Sequence, residues 1–154
     1  MKIANDRDIL GLFSMVHRTP HAYRRLIVCA PFISPDLLYS KITINGKVRV
    51  PTIVITRPET ACNFFLLNQH LVRQFTIKKV LNLHAKVYMA CGISHSDTIA
   101  IVGSYNLTRS ALYKNFELGI RLVGTLPQTH RIIISLEQKL LNMSKKERVY
   151  ENND

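Results

Sequence analysis

The sequence predicts an α/β fold, a mixed central β-sheet flanked by helices. Short apolar runs of strand type recur along the chain, segments of helical period alternate with them, and Asn45-Gly46 marks a tight hairpin turn. With 154 residues and 47% hydrophobic content the chain can bury one substantial core, and no stretch reads as a dividing linker or an internal repeat. One domain over 1–150 is expected, followed by a disordered polar tail at 151–154.

Residues 8–25 carry Ile9, Leu12, Phe13 and Val16 at helical spacing, with Pro20 placed to interrupt or end that helix. A strand follows at 26–32. Ser34-Pro35-Asp36 starts a helical turn through Tyr39, with proline near the first helical position. Residues 41–50 form a hairpin about Asn45-Gly46. The next strand is 52–56 and the next helix 58–74. Strands are then expected at 76–82, 83–91, 98–105 and 116–123. The last helix, 128 to about 146, aligns Ile133, Leu136, Leu140 and Met143 on one stripe.

Polar residues suited to one kind of chemistry gather along 83–117, where His84-Ala-Lys86 is followed by Gly103-Ser104-Tyr-Asn106 and by Asn115-Phe-Glu117. Strand side chains alternate between faces. In 83–89 the odd positions are all apolar, so His84 and Lys86 share the opposite face. Ser104 and Asn106, again two apart, leave the end of their strand together. In 116–122, Phe116, Leu118, Ile120 and Leu122 are expected to point inward, which sets Glu117 on the other face. Three strands thus offer an imidazole, an ammonium, a hydroxyl, an amide and a carboxylate, groups that suit attack at phosphorus. A neutral imidazole can be the nucleophile, Lys86 neutralises non-bridging oxygens, and Ser104 and Asn106 donate hydrogen bonds as negative charge builds. Gly103 would let the backbone approach the substrate closely, and Glu117 would accept a proton from the second ring nitrogen of His84. Singly, an H-x-K commonly lies on a solvated strand face and a G-S-x-N commonly makes a turn or helix cap. Their order, spacing and strand context together point to a phosphodiester-cleaving site.

On these residues the chain resembles the phospholipase D superfamily, whose signature is H-x-K, an acidic residue, then G-S-x-N. Residues 26–34 also resemble the first strand and turn of such domains, so the resemblance covers most of the chain. It is most similar to the small nucleases and the restriction-endonuclease branch. There a homodimer completes the single motif of each chain, and a glutamate follows the motif asparagine at about the spacing of Asn106 to Glu117. One departure stands out: the acidic position five after the lysine is Cys91, and the next carboxylate, Asp97, lies beyond an insertion at 92–96. Asp97 beside Gly and Ser is expected to close a turn; the restriction branch tolerates the same loss. The resemblance implies a phosphohistidine on His84 of one subunit. His84 of the other subunit would protonate the leaving oxygen and then activate water, without metal. In agreement, the sequence has no closely spaced carboxylate cluster for Mg²⁺ and no zinc-type spacing, so neither metal nor other cofactor is expected.

Twenty-one Lys and Arg against ten Asp and Glu give a formal net charge of +11, which favours an extended polyanion through phosphate neutralisation and counterion release. Nucleic acid is the expected partner, DNA ahead of RNA, and Lys79, Arg109 and Lys114 near the motifs are candidates to hold flanking phosphates. Arg18, Arg24 and Arg25 cluster before the first strand, while Lys145, Lys146 and Arg148 look like a helix-end charge run. His17, His21, His70, His95 and His130 lack a partner pattern and are expected at the surface or in packing. Cys29 and Cys62 lie in apolar surroundings and Cys91 ends a strand. An odd number of cysteines without motif spacing suggests buried free thiols in a reducing compartment. Asp6, Arg7 and Asp8 precede any apolar run, and no segment nears the roughly 18 apolar residues of a membrane span, so a cytoplasmic protein without stable membrane association is expected. The principal expectation is a metal-independent, homodimeric DNA endonuclease. The rivals are a phospholipase D-type lipid phosphodiesterase and a catalytically inactive nucleic-acid-binding module.

Overall fold

The computed structural model describes residues 1–66 and 73–143. The chain opens with β1 (Lys2–Ala4) and α1 (Asp6–Arg18). The start of α1 is set by a reciprocal cap: the Asn5 side chain accepts from the Arg7 and Asp8 N–H groups, and Asp8 accepts from the Asn5 N–H. Pro20 cannot extend the helix, and a single 3-10 turn, Pro20–Ala22, delivers the chain into β2 (Tyr23–Cys29). α2 (Pro35–Ile42) leads to a small hairpin, β3 (Thr43–Ile44) and β4 (Lys47–Val48). Its turn residues Asn45 and Gly46 both have positive φ, as a primed two-residue turn requires. β5 (Thr52–Thr56), α3 (Pro58–Phe65), β6 (Phe75–Lys79) and β7 (Val87–Gly92) follow. A 3-10 turn, His95–Asp97, joins β7 to β8 (Ile99–Gly103); α4 (Arg109–Tyr113), β9 (Gly119–Val123) and α5 (Pro127–Asn142) complete the described chain.

Seven strands form one mixed sheet in the order β1-β9-β8-β7-β2-β5-β6. The β2, β5 and β6 strands run parallel, and every other neighbouring pair is antiparallel. β7, at the centre, is buried along its whole length because both faces are covered. Tyr88 and Ala90 face a core built with Ile9 and Phe13 of α1 and Leu38 of α2, while Val87, Met89 and Cys91 face one built with Ile133 and Leu140 of α5. The expected α/β class, with a mixed sheet between helices, is what the structure has.

Several boundaries differ from expectation for identifiable reasons. The first helix ends at Arg18, so β2 begins three residues early, at Tyr23. Residues 83–86 lie outside any strand, and β7 starts only at Val87. β1 and α4, of three and five residues, are too short to impose a period on the sequence. The expected helix 58–74 is α3 up to Phe65, and 67–72, with His70, lies outside the described residues. So do 144–154, which include Lys145, Lys146, Arg148 and the expected tail. The inward alternation expected of 116–122 fails: Phe116 is 90% exposed, Leu118 52% and Ile120 44%, leaving Leu122 alone buried. α5 is the single described helix with buried residues in that face's core, and Leu122 is the residue of this row that joins it.

Cys62 is exposed, contrary to expectation, because it sits on the outer side of α3. Cys29 and Cys91 are buried, and burial pushes each thiol from 9.0 up to about 12, with the nearby Glu137 carboxylate adding to the effect on Cys91. A thiol reagent at mildly alkaline pH is expected to modify Cys62 alone in the native protein and all three cysteines after unfolding in urea. Rapid labelling of a second native thiol would contradict the burial. A raised folded-state value also means that the unfolded chain ionises first, so stability falls as pH rises from 9.0 toward about 12.

Candidate active site

β7 and β8 are antiparallel, so the start of one lies beside the end of the other, and Val87 pairs with Val102. The ladder continues one step further: the Gly103 N–H donates to the Lys86 carbonyl at 3.2 Å. That bond sets His84-Ala-Lys86 directly against Gly103-Ser104-Tyr-Asn106, two motifs separated in sequence by β7, the 3-10 turn and most of β8. Lys86 Nζ donates to the His84 carbonyl at 3.1 Å, and the exposed His84 ring makes no hydrogen bond to any described residue. Both lie at the sheet end where the parallel strands β2 and β5 finish, the end at which open α/β sheets bind ligands.

Ser104 is fixed from three directions. Its N–H donates to the Leu118 carbonyl at 3.0 Å, its Oγ accepts from the Leu118 N–H at 3.2 Å, and the same hydroxyl donates a very short hydrogen bond to Glu117 Oε2. Asn115 Nδ2 donates to Glu117 Oε1 at 3.4 Å. Glu117 therefore orients the hydroxyl and the following loop, in place of the contact with His84 that alternation suggested. Asn106 Oδ1 is buried and has no hydrogen-bond partner among the described residues, a condition costing about 1–3 kcal/mol unless a ligand or another chain relieves it.

Gly103 serves the fold in addition to any role at a substrate. It pairs across the ladder with Gly119, and the Tyr105 ring lies over both: a Cβ on either glycine would meet Tyr105 Cε2 at 2.9 Å. The buried Tyr105 hydroxyl donates toward the Ala4 carbonyl at 2.8 Å and the Glu117 carbonyl at 3.0 Å, and Tyr88 donates to the Tyr105 carbonyl at 3.1 Å. Beyond Asn106, Leu107 forms a parallel bridge with Ile33, which ties the loop to the turn after β2.

Two residues of this end were missed by motif reasoning. Arg57 Nε donates to the Leu83 carbonyl at 3.0 Å, steadying the segment that carries His84, and its guanidinium lies 5.3 Å from the ring centre of the half-exposed Phe32. A basic residue immediately after a parallel strand was the available signal for Arg57. Of the expected phosphate contacts, Lys79 is at the same end, paired in register with Thr56. Arg109 opens α4 and lies 3.7 Å from Asp36, both side chains well exposed, and the exposed Lys114 caps α4. Asp97 follows Gly92, at the opposite end of β7, and closes the 3-10 turn through its N–H to the Ser94 carbonyl, the turn role expected of it. Among the described residues no group of three or more His, Cys, Asp or Glu side chains is placed to hold a metal ion.

Residues 21–140 match the family model described as cardiolipin synthase, PLD-like domain. No curated protein matches the sequence. Solved structures of similar fold include NucT from Helicobacter pylori, with a TM-score of 0.62 and 14% identity over 92% of this chain and 94% of that one. The phospholipase D family member Nuc from Salmonella typhimurium has a TM-score of 0.57 and 15% identity over 89% and 84%. Polyphosphate kinase from Porphyromonas gingivalis has a TM-score of 0.64 and 12% identity over 92% of this chain but 22% of its own.

The glycine pair gives a direct test of this packing. A Cβ at Gly103 would lie 2.5 Å from the Leu118 carbonyl oxygen and 2.7 Å from Gly119 Cα, both backbone atoms. Gly103→Ala is expected to lower stability by about 1–3 kcal/mol, read as a fall in urea midpoint. An unchanged midpoint would contradict the packing.

Proposed function

The chain belongs to the family of phospholipase D-like domains, and on that premise we propose that it is a nuclease, cleaving DNA phosphodiesters through a phosphohistidine on His84. The observation that carries this reading is the Gly103 to Lys86 hydrogen bond, which brings the two motifs together with an unencumbered imidazole at their open end. In the first step a ring nitrogen of His84 bonds to phosphorus and the bond to the leaving nucleotide oxygen breaks. Lys86 and Asn106 offset the charge on the non-bridging oxygens, with Ser104 held ready beside them by Glu117. The leaving oxygen takes a proton from a second imidazole. In the next step that base accepts a proton from water, which attacks phosphorus and frees His84. The formal charge of +11 and the basic groups Lys79, Arg109 and Lys114 support a nucleic acid as the substrate.

The second imidazole is supplied, in this reading, by another copy of the chain, which carries a single H-x-K. An uncovered apolar row supports that placement. Ile3, Ile120 and Val102 are register neighbours across β1, β9 and β8, and are 74%, 44% and 36% exposed; Leu118 and Phe116 extend the row next to Glu117. Contiguous apolar surface of this kind beside a site that needs a partner group fits a self-complementary contact.

Plasmid DNA is expected to be cut in excess EDTA, and His84→Ala to lower the rate by roughly 10³-fold or more. Cutting that requires added metal, or that survives the substitution, would overturn the mechanism. Light scattering should give twice 17.6 kDa, and the pair Phe116→Glu with Ile120→Asp should yield a monomer that no longer cuts. A fully active monomer would remove the second subunit from the mechanism.

A further inference from the structure

At the sheet end opposite His84, β2 opens with Tyr23-Arg24-Arg25, and its register against β7 slips: Tyr23 pairs with Gly92 and Arg25 with Cys91, so Arg24 is an extra residue. A bulge of this kind re-aims side chains that simple alternation would send to opposite faces. Both guanidiniums reach one carboxylate. Arg24 Nη2 lies 2.6 Å from Glu137 Oε2, and Arg25 Nε lies 3.7 Å from Oε1. Glu137 is buried on α5, and Arg24 is further committed by donating from Nε to the Gly92 carbonyl at 3.0 Å. His95 Nε2 sits 3.9 Å from the same carboxylate.

One carboxylate offsets one of the two arginines, so a positive charge is left over, and both side chains remain partly exposed. They line, with Arg73, Pro51, Thr52 and Phe75, a cavity of ≈ 470 Å³. The exposed Lys47 and Arg49 belong to the hairpin segment that runs into Pro51, and the Val48 N–H holds the hairpin to cavity-lining Gln74 at 2.8 Å. Three guanidiniums thus line one concavity against a single buried carboxylate.

We propose that this concavity is a second anion site, taking a backbone phosphate of a polynucleotide, with Arg25 and Arg73 as contacts and Arg24 holding the carboxylate that orients Arg25. The identity of the polyanion rests on the nuclease reading above; the charge imbalance does not. Strand rise of roughly 3.3 Å per residue puts the cavity at least about 13 Å from the far end of β2, more than one nucleotide spans. The phosphate held here therefore belongs to a nucleotide well removed from the one at His84, and long chains gain an attachment that short ones cannot reach.

The test uses fluorescence anisotropy of labelled oligonucleotides of about 4 and about 20 nucleotides on the His84→Ala protein, across a salt series. Arg73→Glu should weaken binding of the long oligonucleotide by about tenfold and lower its salt slope by about one or two, while affecting the short one by less than about twofold. Arg25→Gln should act in the same direction. Lys139→Glu, the same charge change on α5 away from the cavity, should change the long oligonucleotide's affinity by less than about twofold. Equal losses for Arg73→Glu and Lys139→Glu, or equal losses for long and short oligonucleotides, would overturn the site. Hydrolysis of bis(p-nitrophenyl) phosphate by the unsubstituted protein reports separately on the nuclease reading, so a failure of one is not mistaken for a failure of the other.

Discussion

A single backbone hydrogen bond, Gly103 N–H to the Lys86 carbonyl, holds the two polar motifs of this chain side by side. It is the last rung of the β7–β8 ladder, and it lies past the formal start of β7. One residue of slip would pass every side chain of β8 to the other face. Polar–apolar alternation cannot specify the register here, because β7 is buried on both faces; the shapes of the side chains packed on each face hold it. Core packing around Tyr88, Ala90, Met89 and Cys91 is thus what aligns His84 and Lys86 with Ser104 and Asn106.

Small residues and one aromatic ring complete the alignment. Gly103 and Gly119 face each other across β8 and β9, leaving room for the Tyr105 ring, whose hydroxyl reaches the Ala4 and Glu117 carbonyls. The ring fixes Asn106 on one side of itself in sequence and Ser104 on the other, while Glu117 grips the serine hydroxyl. On the opposite edge, Arg57 holds Leu83. Each of these polar groups is therefore supported by neighbours that are held in place by packing or by backbone hydrogen bonds.

The sequence made the large features readable where period and composition acted together. The stripe Ile9, Leu12, Phe13 and Val16, the Asn45-Gly46 turn and the apolar run of β5 all appear where local rules put them. The approach of the two motifs at one sheet end was legible too, because both flank strong strands. What stayed hidden depended on tertiary choices. The row at Phe116, Leu118 and Ile120 has the alternation of a buried strand, yet no described helix covers it. The partner of Glu117 was a serine at an adjoining strand end, a matter of register that face alternation does not decide. Arg57 acts through its side chain on a backbone carbonyl, which leaves no motif. The doubled arginines of β2 reach one glutamate only because of a bulge, and no local pattern announced it.

The sheet order joins the two ends of the described topology: β1, formed from the first residues, finds its place against β9, with Ile3 opposite Ile120. Tyr105 then latches that seam through the Ala4 carbonyl. Closing so large a loop carries an entropic penalty that local helices avoid, and such pairings form late in folding. Ser104 and Glu117 sit beside the same seam, so their geometry depends on a contact between the first strand of the sheet and the last.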